Sequence, residues 1–154
     1  MQETKIWKVT NDKLNELSKS NLDLEERIHK WIENDIKIIE INGIKIATLI
    51  CFELRFPRLW EKVKGADIIL NPSMWGLKRK DHYESISKAL ALVNQCFVIA
   101  CNSADDNMAK GSAIISPFGN VIKDDFSEII KTKFDFDEIK KTRKYIDIGL
   151  NQEL

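Results

Sequence analysis

The sequence has little from which to build a covalent or metal framework. Its three cysteines, Cys51, Cys96 and Cys101, are odd in number and lack CxxC spacing, so neither a disulfide set nor a zinc site follows. The two histidines, His29 and His82, stand apart with no cluster of Cys or Asp around them. Both read as surface or capping residues, and no metal site is expected. No cofactor is expected either. Charge of one sign is not in excess: 24 basic residues face 24 acidic ones, which leaves no broad basic field for nucleic acid. The longest apolar runs are of strand length, too short to span a bilayer, so no membrane partner is expected. Met1 to Lys5 shows no apolar signal core. Unpaired cysteines and the missing signal place the chain, by expectation, in a reducing cytoplasm.

With 154 residues, 44% apolar and 31% charged, the composition is that of one globular domain with a real core. Lys5–Val9 and Lys13–Leu17 read as a hairpin around Asn11-Asp12, and Leu24–Ile32 as irregular with one helical turn. Ile36–Ile41 and Ile44–Ile50 flank Asn42-Gly43, a strong hairpin signal. The second of these strands lacks clean alternation and is expected to be buried on both faces. Pro57 and Gly65 bracket a short helix over 58–64. Ala66–Leu70 reads as a strand, Asn71–Asp81 as a loop, and His82–Gln95 as a helix with Ile86, Ala89, Leu90 and Val93 on one face. Cys96–Cys101, Ser112–Ser116, Asn120–Lys123 and Ile129–Phe134 read as strands, and Asp135–Thr142 as a helix. Such alternation predicts a sheet with helices packed on it.

Within this frame Cys51 stands out. It ends a strand, and Phe52-Glu53-Leu54-Arg55-Phe56-Pro57 turns the chain toward a helix. Side chains at such strand ends point into the crevice where open α/β sheets bind ligands. A thiol is also a strong nucleophile near neutral pH. Cys96 and Cys101, flanking Phe97–Ala100, read as inert small residues of a strand. Glu53 and Arg55 are expected to pair as a clamp behind the nucleophile. Trp75, in a loop after a buried strand, either lines a substrate pocket or packs in the core.

The segment Ile50-Cys51-Phe52-Glu53-Leu54-Arg55-Phe56-Pro57 resembles the nucleophile motif of the nitrilase superfamily, the carbon–nitrogen hydrolases. Gly65 to Trp75, Ala89 to Ile99 and Gly111 to Gly119 resemble that family's following strand, helix and late hairpin, in order. The resemblance implies an α/β fold, a nitrilase-like α-β-β-α sandwich, and a Glu-Lys-Cys triad acting on a small-molecule amide through a thioester. Cys51 would be the nucleophile. Ser18-Lys19-Ser20-Asn21-Leu22 resembles the family's lysine segment, which points to Lys19 over Lys5, Lys8 and Lys13 for the oxyanion. Glu26 resembles a supporting acidic position, and the Phe52 N–H is the backbone candidate for the same oxyanion. Trp75 would bind substrate.

The chain departs from the family pattern at its start. The general-base glutamate belongs to a segment before the lysine hairpin, and neither Glu3 nor Glu16 sits in a Pro-Glu motif. Residues 1–154 therefore read as a partial domain with the N-terminal portion missing. This leaves two readings: an amidase active when completed by an N-terminal fragment, or an inactive remnant or associating subunit. A homodimer is a further partner that the resemblance implies.

Overall fold

A computed structural model describes residues 36–150. The chain divides into two units, residues 1–36 and 37–154, and the second carries the sheet and its helices. The expected hairpin over Lys5–Leu17 and the helical turn within Leu24–Ile32 lie outside the described residues, as do Lys19, Glu26 and His29.

Asn42 and Gly43 both take positive φ, +53° and +78°. Such a two-residue turn matches the twist of a hairpin. It joins β1 (Ile39–Ile41) to β2 (Ile44–Thr48), antiparallel, with Ile41 opposite Ile44. β2 gives way to a tight 3-10 turn at Cys51–Arg55. Pro57 then opens α1 (Pro57–Trp60), where its missing N–H costs nothing, and a 3-10 turn over Glu61–Val63 ends it. β3 (Ile68–Ser73) lies parallel to β2, and β4 (Phe97–Asn102) parallel to β3, with α2 (Lys80–Asn94) as the crossover. β5 (Ala113–Ile115) and β6 (Val121–Lys123) extend the sheet as antiparallel strands. Among the described residues this is one six-stranded sheet in chain order. α3 (Asp137–Tyr145) comes last.

Alternation along the strands divides the core. Ile68, Phe97 and Ile139 are buried together, with Ile44, Ile46, Phe134 and Phe136 packed on them. Ile69 and Val98, one residue on, point to the opposite face and are fully buried there. The stripe Tyr83, Ser87, Leu90, Ala91 and Asn94 of α2 is buried too, at helical spacing. Arg143 fastens α3 to the head of β3. Its guanidinium donates to the Ala66 carbonyl at 3.0 Å and lies 3.6 Å from Asp67. Asp67 also accepts the Lys45 N–H at 2.9 Å.

Five details differ from the sequence reading. α2 begins two residues early, at Lys80, and ends at Asn94, with Gln95 left-handed at its cap (φ +49°). Its buried stripe is rotated away from Val93, which is 56% exposed, because Ser87 and Asn94 are buried where apolar residues were sought. β3 runs on through Pro72, a residue expected in a loop; β2 has already left the sheet beside it. β2 itself is only partly covered, with Thr48 exposed. Finally, Ile129–Phe134 joins no strand among the described residues. Phe134 packs its ring edge-on to Phe97 at 4.9 Å, so only the end of that apolar run packs on the core, without strand pairing.

Phe97→Ala should lower stability by about 3–5 kcal/mol, since it removes the hub of three rings. Ile129→Ala, at a position 65% exposed, should stay within about 0.5 kcal/mol of the parent. Urea unfolding of the two variants measures both, and equal costs would contradict this packing.

Candidate active site

Cys51 has φ +51°, a left-handed backbone that a non-glycine residue rarely adopts. Such a conformation costs roughly 1–3 kcal/mol and persists only where its surroundings fix it. Here they do so from both sides. The Leu49 N–H is tied to the Leu70 carbonyl at 2.9 Å, which anchors the strand just before the turn. The Ile50 N–H donates to Glu53 Oε2 at 2.6 Å, while the Glu53 N–H donates back to the Ile50 carbonyl at 3.0 Å. The Trp60 indole donates to the Leu54 carbonyl at 3.2 Å, so α1 holds the far end. Cys51 is left half-buried at the start of the turn, three residues past the last residue of β2, which ends at Thr48 rather than running to Ile50 as the sequence suggests. Phe52 is 47% exposed, its ring edge-on to Phe56 at 5.7 Å.

Arg55 lies over the Trp75 ring, 4.5 Å from its centre, and its Nη2 meets His82 Nδ1 at 3.1 Å. Arginine can only donate, so His82 Nδ1 is the acceptor of that contact. Arg55 thus turns to His82 and Trp75 rather than clamping Glu53, whose carboxylate caps the turn. Trp75 is 4% exposed, and its indole N–H has no partner among the described residues.

Two asparagines that the sequence reading passed over build the frame. Asn102 grips Trp75 at both backbone groups: its Oδ1 accepts the Trp75 N–H at 2.7 Å, and its Nδ2 donates to the Trp75 carbonyl at 3.2 Å. The same amide donates to the Lys110 carbonyl at 3.0 Å. Asn71, wholly buried, donates to the Leu49 carbonyl at 2.5 Å and accepts the Ser73 hydroxyl at 2.9 Å. An asparagine at a strand end reads as a turn signal in sequence, which is why neither was singled out. Tyr83 stacks near Trp75, ring centres 5.6 Å apart. Burial pushes its phenol well up; Ser73 opposes the shift, and the Cys101 and Cys51 thiols add to it. The Tyr83 hydroxyl has no hydrogen-bond partner among the described residues.

The other two cysteines contrast. Cys96 is fully buried, whereas Cys101 is exposed beside a cavity of about 250 Å³ that Asn102, Lys110, Ser112 and Asp125 also line. Cys51 is not among the walls of that cavity. Among the described residues no group of Cys, His, Asp and Glu could hold a metal, and no helix is long and apolar enough to cross a membrane.

A mixed α/β sheet with a cysteine held in left-handed backbone just past a strand end is an arrangement that several classes of nucleophilic hydrolase share. The carbon-nitrogen hydrolase profile matches residues 3–144, and the chain belongs to that family. It is 33% identical over 133 residues to a 2-oxoglutaramate amidase of Bacillus subtilis, covering 81% of this chain and 51% of that protein. It is 31% identical over 103 residues to an omega-amidase of Escherichia coli, covering 64% and 40%. The fold matches that of Saccharomyces cerevisiae Nit3, a nitrilase superfamily member, with a TM-score of 0.66 at 24% identity over 77% of this chain and 47% of that one. The chain spans about half the length of the curated relatives it matches.

Burial pushes the Cys96 thiol up to about 12 from an ordinary 9.0, with Arg143 opposing and Asp67 adding to the shift. A raised folded value means that its stabilising effect is complete below pH 9 and lost as pH climbs toward 12. Cys96→Ala should therefore lose less stability than the parent between pH 9 and 11. Chemical denaturation at each pH measures the difference, and parallel curves would contradict it.

Proposed function

We propose that this chain carries the nucleophile half of a thiol-dependent amidase that converts a linear amide to an acid and ammonia. The observation that carries the reading is the left-handed backbone of Cys51 just past the end of β2, over-determined by bonds on both sides. The names of the relatives, 2-oxoglutaramate amidase and omega-amidase, support a small substrate with a terminal amide.

In this reading a general base takes the Cys51 thiol proton as the sulfur attacks the amide carbon, the carbonyl electrons move onto oxygen, and the protonated base becomes the acid of the next step. The Lys19 ammonium and the Phe52 N–H take up that charge. One fixed donor of this kind is worth roughly 3–4 kcal/mol of transition-state stabilisation. The C–N bond then breaks, and nitrogen leaves as ammonia with a proton from a general acid. Water, deprotonated by the same group, attacks the thioester and frees the acid and the thiol. The resemblance assigns that acid–base role to a glutamate ahead of the lysine segment, and Glu26 supports the site beside it. Trp75, pinned by Asn102 and covered by Arg55, stands buried behind the substrate crevice and supports its wall from there. Catalysis needs the base glutamate from whichever polypeptide carries it, so a complementing N-terminal segment is the partner this reading requires.

Incubation with p-nitrophenyl acetate, followed by peptide mass analysis, should find one acetyl group, on Cys51. Cys51→Ala should abolish it, and Lys19→Ala should slow it by roughly 10²–10³. An acetyl group that survives Cys51→Ala would end the reading. Ammonia release from a linear amide should appear only when a segment bearing the base is supplied.

A further inference from the structure

Between β2 and β3 the parallel ladder stops one rung before it should. Thr48 pairs with Leu70, and the Leu49 N–H reaches the Leu70 carbonyl at 2.9 Å. Backbone groups face the same side at every second residue. The next rung would therefore bring an N–H from Pro72 to the Leu49 carbonyl, and proline has none. On its other side β3 stays paired with β4 to its end, Pro72 opposite Cys101 and Ser73 opposite Asn102. Only the β2 side is interrupted there.

A buried carbonyl without a donor is costly. The Asn71 side chain fills the gap, donating its Nδ2 to the Leu49 carbonyl at 2.5 Å from a wholly buried position. The Ser73 hydroxyl donates to the other end of the same amide at 2.9 Å, which fixes which end faces Leu49. Residues 71, 72 and 73 thus act together: one withholds a rung, one replaces its hydrogen bond from a side chain, and one orients that side chain.

We infer that Asn71 is a positioning residue for Cys51, with Pro72 as its necessary companion; this rests on Cys51 being the nucleophile. A backbone N–H at position 72 would draw Ile50 and Cys51 into the ladder and extend β2 straight past the turn. With the side-chain amide there instead, Leu49 stays anchored while the chain turns at once into the left-handed conformation of Cys51. Asn71 touches neither thiol nor substrate; it acts through the Leu49 carbonyl, two residues upstream.

The test uses the full chain and three variants: Pro72→Ala, Asn71→Leu and the double variant. Three quantities are read: the rate at which p-nitrophenyl acetate acylates Cys51, the melting temperature, and alkylation of the buried Cys96 as a check that the core stays closed. Pro72→Ala restores the missing donor, so it should melt no lower than the parent, yet acylate roughly tenfold more slowly as the thiol is misplaced. Asn71→Leu should lose stability as well as rate. The double variant should regain stability, through the new N–H, but not rate. A parental rate in Pro72→Ala, or a double variant that regains both quantities, would overturn the inference. Should Asn71→Leu fail to fold, Pro72→Ala decides alone. A parent chain whose Cys51 does not acylate would instead overturn the nucleophile reading, and the positioning role would go with it.

Discussion

The Leu49 carbonyl is the point at which sheet and turn separate, and its hydrogen bond to the Asn71 amide governs the path of the chain through Cys51. A strand that continued would carry Cys51 into the ladder with an ordinary extended backbone. A strand that simply frayed would leave the same residue free to relax out of its left-handed state. Neither happens, because Leu49 is held at both its N–H and its carbonyl while Ile50 and Glu53 bind each other across the turn. The strain is stored locally and retained by groups that lie behind the thiol.

The Asn102 amide does the same on the neighbouring strand. It holds the Trp75 segment by main-chain bonds, so the indole is fixed before any side-chain packing is counted. Arg55, one turn past Cys51, then lies over that indole. Turn and loop come from different strand ends, yet one side chain couples them. His82 Nδ1 meets the same guanidinium at 3.1 Å and keeps it in place.

Much of this architecture was readable from residue order. The Asn42-Gly43 hairpin, the proline-led helix after Cys51 and the two strands that flank α2 come from turn chemistry and apolar runs, and the structure has them. The family resemblance, resting on four ordered motifs, agrees with the profile match across residues 3–144. The features that could not be read depend on contacts distant in sequence. The rotated face of α2 comes from Ser87 and Asn94 being buried, which hydropathy cannot anticipate. Of the apolar run Ile129–Phe134 only Phe134 reaches the ring cluster on Phe97, and Ile129 stays exposed. Asn71 and Asn102 were invisible for another reason: the same residue type at a strand end makes a turn in most settings, and only the register of neighbouring strands shows when it replaces a missing rung. Lys19 and Glu26 rest on the sequence resemblance alone.

The junction at Asp67 has a consequence for how the molecule is made. This carboxylate receives the Lys45 N–H, 22 positions before it, and faces Arg143, whose other bond reaches back 77 positions to Ala66. A chain emerging from a ribosome presents Lys45 and Asp67 early, but Arg143 only much later. The head of β3 must therefore wait, with Ile68 and Phe97 uncovered by Ile139, until α3 has been synthesised. Closure over such separations is slow compared with local hairpin formation. Newly made protein should thus pass through a stage in which its sheet is assembled but that apolar face is still unlidded, and chaperones would meet it in that form.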